Sequence, residues 1–146
     1  MILLDANVLL RLANQEDLEY KRAQRFVFSC RKKDLLVVSP QTLFEFWAVA
    51  TRSRQVNGIG MEITRAKQWL TVCKRIFPML DESPEIVSIW ESLVEKFGVK
   101  GFRAHDARYV AMMQLHGIDQ FMTYNVKHFS CFPINILDPA ASESSN

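Results

Sequence analysis

Short runs of continuously apolar residues recur along the chain and predict strands that are buried on both faces. Longer segments between these runs carry apolar residues at helical spacing. The predicted strands are residues 1–4, 35–38 and 120–124, with 77–80 and 134–137 as two further candidates.

Capping residues mark the ends of several predicted helices. Ser39 suits a helix cap and Pro40 suits the first turn after it. Ser83 and Pro84 give a second start signal of the same kind, and Gly117 suits a helix end. The predicted helices are residues 18–30, 40–51, 61–76, 83–98 and 104–116.

The order of these elements, β-α-β-α-α-β-α-α-β, is typical of an α/β protein. We therefore predict a three-layer α/β/α sandwich with a mostly parallel central sheet. The chain has 146 residues and is 49% hydrophobic, which suits one domain with a real core. Because no repeat or linker divides it, residues 1–139 are assigned to a single domain, and residues 140–146 are expected to form a disordered tail.

Composition and apolar patterning argue against a cysteine-based metal site, a membrane span and a signal peptide. The net charge of +2 permits nucleic-acid binding without requiring it. Cys30, Cys73 and Cys131 lack metal-site spacing and fit a reducing cytoplasm. No apolar stretch approaches the roughly 20 residues that span a bilayer, and the apolar start of the chain indicates a strand rather than a signal peptide.

Three acids lie in apolar surroundings. Asp5 follows the first apolar run, Glu45 stands between Phe44 and Phe46, and Asp106 precedes an apolar helical segment. Burying a lone carboxylate costs several kcal/mol, so a buried one is usually paired, protonated or bound to a cation. Acidic ligands without Cys or His favour Mg²⁺ or Mn²⁺, and so phosphate chemistry.

Each acid also has an ordinary explanation. Asp5 could form a turn or a cap, and Asp106 could cap its helix. Glu45 could be solvated beside the apolar stripe formed by Leu43, Phe46, Trp47 and Ala50. The joint pattern favours a shared site, because no single explanation covers all three acids.

The predicted topology brings these acids to one edge of the sheet. Ligands of open α/β sheets bind outside the carboxyl ends of the strands, and Asp5 and Asn125 both follow predicted strands. Asp106 lies in the first turn of its helix, where the helix dipole favours negative charge. Glu45 reaches the same edge from within its helix, so we expect all four side chains to face one cleft.

Four segments together resemble the PIN domain family over nearly the whole chain. They are residues 2–9 around Asp5, 42–46 around Glu45, 104–111 around Asp106 and 121–129 around Asn125. Within that family, the chain is most similar to the VapC-like toxins of toxin–antitoxin pairs. Each motif is weak alone, but the four occur in the family's order.

This resemblance implies metal-dependent endoribonuclease activity. Asp5, Glu45 and Asp106 would be the catalytic, metal-binding carboxylates for Mg²⁺ or Mn²⁺. Asn125 would be a fourth catalytic residue. It stands where many members have a fourth acid, so one firmly held metal is expected rather than two. Asn7 and Thr123 would support the site through hydrogen bonds.

An acidic pocket repels RNA, so basic residues are needed to attract its backbone. The candidates near the motifs are Arg11, Arg52, Arg54, Arg103, Arg108 and Lys127. The expected partners are an RNA substrate, a cognate antitoxin and a second copy of the chain. His105 is expected to have a packing or surface role.

Two other functions remain open from the sequence. The first is a PIN-like module that binds RNA or protein without catalysis, with Asn125 marking a degraded site. The second is a phosphatase or receiver-like domain with Asp5 as phosphoacceptor, although the companion Lys and Ser/Thr motifs are not placed as such folds need.

Overall fold

The computed structural model describes residues 1–141 and contains a four-stranded sheet. The strands are β1 (Ile2–Leu4), β2 (Leu36–Val37), β3 (Gln120–Met122) and β4 (Asn135–Leu137). Every pairing is parallel, and the order across the sheet is β2-β1-β3-β4. The central pair therefore joins β1 to a strand from the far end of the domain.

Helices connect these strands and cover both faces of the sheet. They are α1 (Ala6–Ala13), α2 (Tyr20–Arg31), α3 (Pro40–Thr51), α4 (Ile63–Ile76), α5 (Glu85–Phe97), α6 (Ala104–Leu115) and α7 (Val126–Phe129). Two 3₁₀ turns, Arg54–Val56 and Gly101–Arg103, lie between them.

Alternate residues of β1 contribute to two separate hydrophobic cores. Ile2 and Leu4 pack into the core on the side of α1–α4, whereas Leu3 packs into the core on the side of α5–α7. All three side chains are buried, as expected for a central parallel strand. The predicted three-layer sandwich with a parallel sheet is thus confirmed.

The structure corrects three local predictions. Residues 77–80 make only a single bridge, between Met79 and Val38, because Pro78 has no N–H to extend the pairing. Helix α1 is not among the predicted helices, because the residues after Asp5 are also compatible with a turn. Ser83 does not cap α5, since its hydroxyl finds no hydrogen-bond partner within the described chain.

Only the first two residues of the predicted tail, Ala140 and Ala141, belong to the described part of the chain. Ala140 and Ala141 donate their N–H groups to the side chain and the carbonyl of Asp138, so they form an ordered turn. The rest of the predicted tail, residues 142–146, lies outside the described residues. In residues 1–141, no helix has the length and apolar character that a membrane span requires.

Candidate active site

Asp5 lies at the carboxyl end of β1 and is 5% exposed. Its N–H donates to the carbonyl of Met122 at 2.9 Å, which holds the end of β1 against β3. Burial raises the pKa of Asp5 from 3.8 to about 6; the hydrogen bond from Thr123 opposes this shift, and the negative charge of Glu45 adds to it. The site therefore contains a carboxylate whose charge its surroundings do not fully compensate.

Both residues predicted to support the site contact Asp5. Its Oδ2 atom accepts hydrogen bonds from the Thr123 hydroxyl at 2.6 Å and from Nδ2 of Asn7 at 3.1 Å. The Thr123 oxygen accepts from Nδ2 of Asn7 and from the N–H of Asn125, which leaves its proton to donate to Asp5. The Asp5 carboxylate is thus held in one orientation.

The start of α3 fixes Glu45 relative to the end of β1. The predicted cap is confirmed, because Ser39 and Thr42 form a reciprocal capping box. The Thr42 hydroxyl also donates to the carbonyl of Leu4 at 3.0 Å, next to Asp5. This contact anchors α3 one turn before Glu45.

The Glu45 carboxylate is half-buried and held by two neutral donors. Nε2 of Gln41 donates to its Oε1 at 2.8 Å, and the Tyr109 hydroxyl donates to its Oε2 at 2.8 Å. Phe44, by contrast, is 65% exposed and lies on the solvent side of α3. Glu45 therefore faces the interior edge of the site instead of open solvent.

Asp106 lies in the first turn of α6, as predicted, with its side chain 20% exposed. Nδ1 of His128 and Nε of Arg103 lie 3.4 Å and 3.7 Å from its Oδ2 atom. This buried oxygen has no hydrogen-bond partner among residues 1–141. Burial raises the pKa of Asp106, His128 and Arg103 oppose the shift, and Glu45 adds to it.

One pocket, of about 320 Å³, is lined by four of the six predicted catalytic and supporting residues and by one predicted basic residue. Its lining includes Asp5, Asn7, Glu45, Arg52 and the exposed Asn125. Asp106 does not line this pocket, but its charge interacts with that of Glu45, which interacts in turn with that of Asp5. Glu45 is therefore the electrostatic link between the other two acids.

The donor set fits a hard divalent cation, although the acids are not arranged as a closed site. Carboxylate and amide oxygens suit Mg²⁺ and Mn²⁺, and no hydrogen bond from residues 1–141 occupies the buried Oδ2 of Asp106. Over the described residues, however, no three Asp, Glu, His or Cys side chains lie close enough together to hold a metal ion.

One of the predicted basic residues lines the acidic pocket, and a second contacts Asn7, which supports Asp5. Arg52 lines the pocket and donates to the carbonyl of Asn57 at 2.9 Å. Arg11 places its guanidinium 4.0 Å from the centre of the Tyr124 ring and donates to the carbonyl of Asn7. Within residues 1–141, neither arginine forms an ion pair with Asp5, Glu45 or Asp106.

The remaining basic candidates point elsewhere or are engaged. Arg54 pairs with Glu16 at 3.2 Å, and Arg108 pairs with Glu82. Arg103 donates to the carbonyl of His128 and faces Asp106. Lys127 is exposed in α7, two residues after Asn125. His105 is also exposed, as expected, and its carbonyl accepts a hydrogen bond from Gln41.

Three residues that contact Glu45 or Asp106 were not identified from the sequence. Gln41 precedes Glu45 by four positions and Tyr109 follows Asp106 by three, so each shares a helix face with an acid. That spacing was a usable signal. His128 carried none, because it reaches Asp106 only through the placement of α7 beside α6.

The chain belongs to the PIN domain family, whose sequence profile matches residues 2–130. That range contains every residue of the predicted site. Membership in this family rules out the alternative interpretation of the chain as a phosphatase or receiver-like domain. The chain is also similar to ribonuclease VapC24 of Mycobacterium tuberculosis, with 26% identity over 149 residues that cover 98% of this chain and 99% of the relative.

Solved structures show the same fold. VapBC2 from Rickettsia felis, bound to a DNA fragment from its promoter, matches with a TM-score of 0.70 and 16% identity, over 94% of this chain and 98% of that one. VapC20 of Mycobacterium tuberculosis, a toxin that cleaves the sarcin–ricin loop, matches with a TM-score of 0.64 and 17% identity, over 92% and 98% of the two chains.

Proposed function

We propose that this protein is a metal-dependent endoribonuclease and the toxin of a toxin–antitoxin pair. The observation that carries the proposal is the buried Asp5, whose raised pKa reflects a carboxylate that lacks a compensating cation beside a second acid, Glu45. Family membership and the full-length similarity to a ribonuclease support RNA as the substrate.

The proposed mechanism assigns separate tasks to the site residues. A bound Mg²⁺ or Mn²⁺ supplies polarisation of the phosphate and activation of water. Asp5, Glu45 and Asp106 would hold that ion, and Asn125 would offer a neutral oxygen at the pocket mouth. Three carboxylates and one divalent ion leave a charge of about −1, which favours one ion over two.

The chain's other residues orient substrate and ligands. Thr123 and Asn7 keep the Asp5 carboxylate in place, and Arg52 attracts the RNA backbone to a pocket that would otherwise repel it. Attack by water forms a new P–O bond and breaks the bond to the 3′ oxygen, which leaves a 5′-phosphate and a 3′-hydroxyl. No nucleophilic side chain is needed.

The proposal includes the setting in which the enzyme works. As a VapC-like toxin, it would act in the cytoplasm, bind a cognate antitoxin and form a homodimer. The similarity to VapC20, itself a toxin, supports the proposal that this protein is a toxin. Co-expression with the protein encoded by the adjacent reading frame tests it, because an antitoxin should co-purify and suppress RNA cleavage.

Cleavage of RNA by the purified chain tests the catalytic proposal directly. EDTA should stop cleavage, and Mg²⁺ or Mn²⁺ should restore it. Asp5→Asn should lower the rate by about a hundredfold or more, because it removes a proposed metal ligand. Asp81→Asn, which changes an exposed acid in the loop before α5, is the matched control and should cleave normally. Full activity of Asp5→Asn would sink the assignment.

The open arrangement of the acids and the neutral Asn125 favour one alternative, a binding module without catalysis. Calorimetry separates the two functions. Absence of divalent-ion binding, with RNA affinity unchanged in Asp5→Asn and Asp106→Asn, would support the binding module.

A further inference from the structure

Tyr109 is a buried hydroxyl donor directed at the acidic site. The residue is 1% exposed, and its ring packs against Phe121 and Phe129 at centroid distances of 5.1 Å and 6.3 Å. Its hydroxyl donates to Oε2 of Glu45 at 2.8 Å. A tyrosine hydroxyl ordinarily keeps its proton at neutral pH, so Tyr109 is a neutral donor.

Gln41 holds the other oxygen of the same carboxylate. It is 5% exposed, and its Nε2 atom donates to Oε1 of Glu45 at 2.8 Å and to the carbonyl of His105 at 2.7 Å. Since both neighbours are acceptors, the amide nitrogen must face them. Gln41 therefore connects the first turn of α3 to the first turn of α6 and also contacts Glu45.

We infer that Tyr109 and Gln41 are positioning residues that hold the Glu45 carboxylate beside Asp5 in the orientation that receives the cation. This inference rests on the proposed function. Each donor occupies one lone pair of one Glu45 oxygen, so each oxygen keeps a second lone pair for a metal. Both donors are neutral, so they fix the carboxylate without cancelling the charge that attracts the ion.

The neutrality of these donors distinguishes Glu45 from its neighbour Asp106. Arg103 and His128 lie beside Asp106, and a positive charge there competes with a metal ion for the carboxylate. Gln41 and Tyr109 offer no such competition. Removing a hydrogen-bond donor that orients a metal-ligating side chain typically weakens metal affinity by about 10–100-fold.

Tyr109→Phe tests the inference, because it keeps the packed ring and removes only the hydroxyl. Titration calorimetry with Mn²⁺ and no RNA should show affinity weakened by about tenfold, which corresponds to the loss of a hydrogen bond to a charged group. Gln41→Met should weaken Mn²⁺ binding in the same direction. Tyr20→Phe removes a hydroxyl that interacts with Gln24 on α2, away from the acids, and should bind Mn²⁺ as the wild type does.

Kinetics provide a second readout. In both variants, kcat at limiting Mn²⁺ should fall while KM for RNA stays constant, and saturating Mn²⁺ should restore part of the lost rate. If Tyr109→Phe does not fold, Gln41→Met decides the question alone. Wild-type Mn²⁺ affinity in the folded variants would overturn the inference and leave the proposed function intact. Failure of the wild type to bind Mn²⁺ and cleave RNA would overturn both.

Discussion

The Thr123 hydroxyl donates a 2.6 Å hydrogen bond to Oδ2 of Asp5 and thereby joins the ends of the two central strands. The same oxygen accepts the N–H of Asn125, so one side chain connects a buried acid to the exposed residue at the pocket mouth. Both groups are buried, which makes this contact stronger than a surface hydrogen bond would be.

Replacing this donor should change the protonation of Asp5. Thr123→Val keeps the size of the side chain but removes the hydrogen bond that favours the ionised carboxylate. The pKa of Asp5 should therefore rise further above its value of about 6. Carbon-13 NMR titration of the Asp5 carboxyl group measures this shift. Thr71→Val changes a partly exposed residue of α4 whose hydroxyl donates to the Lys67 carbonyl, and it should leave the pKa of Asp5 unchanged.

Neutralising Asp5 should stabilise the metal-free protein. Its pKa is raised from 3.8 to about 6, so the folded state favours the protonated acid. The free energy of unfolding should therefore fall as pH rises from about 4 to about 6 and stay low above that range. At pH 7, Asp5→Asn should raise the free energy of unfolding by up to about 3 kcal/mol.

Urea denaturation in EDTA checks this prediction. The gain from Asp5→Asn should be large at pH 7 and should largely disappear near pH 3, below both pKa values, where most of the wild-type acid is protonated in both states. Asp81→Asn should show no comparable gain. Destabilisation by Asp5→Asn at pH 7 would contradict the assignment of Asp5 as an uncompensated charge.

Arg52 and Arg54 should differ in their effect on RNA binding, although they are two residues apart. Arg52 lines the acidic pocket, whereas Arg54 is paired with Glu16 and bound to the carbonyl of Ile59. In an Asp5→Asn background that prevents cleavage, Arg52→Gln should reduce the slope of log affinity against log salt by about 0.7. Arg54→Gln should change it little, and equal effects would refute the distinction.

The two phenylalanines that flank Glu45 should contribute unequally to stability. Phe46 is fully buried and Phe44 is 65% exposed. Phe46→Ala should lower the free energy of unfolding by about 3–5 kcal/mol through lost burial and a cavity. Phe44→Ala should cost about 0.5 kcal/mol or less. Chemical denaturation measures both, and comparable losses would place Glu45 on a different helix face.

The fold was predictable from the sequence because its signals are local. Continuous apolar strands and the Ser39 cap depend on neighbouring residues, and both are confirmed. The location of Asp5 and Asp106 followed from strand and helix ends for the same reason. Helix α1 was missed because the residues after Asp5 are also compatible with a turn.

The contacts within the site were less predictable, because they depend on how distant elements pack. Glu45 meets Tyr109 across 64 positions, and Arg54 is drawn to Glu16 across 38. Nothing in the local sequence around Arg54 distinguishes it from Arg52. Only the packing of α3 against its neighbours decides which cation faces the acids.

The pairing of β1 with β3 determines when the acidic pocket can first exist during protein synthesis. A ribosome completes Asp5 well before Thr123, its partner 118 positions later. Until β3 emerges, β1 lacks one of its two neighbours and the nascent chain holds no complete pocket. Under the proposed function, RNA cleavage therefore requires that β3 has been made and has paired with β1.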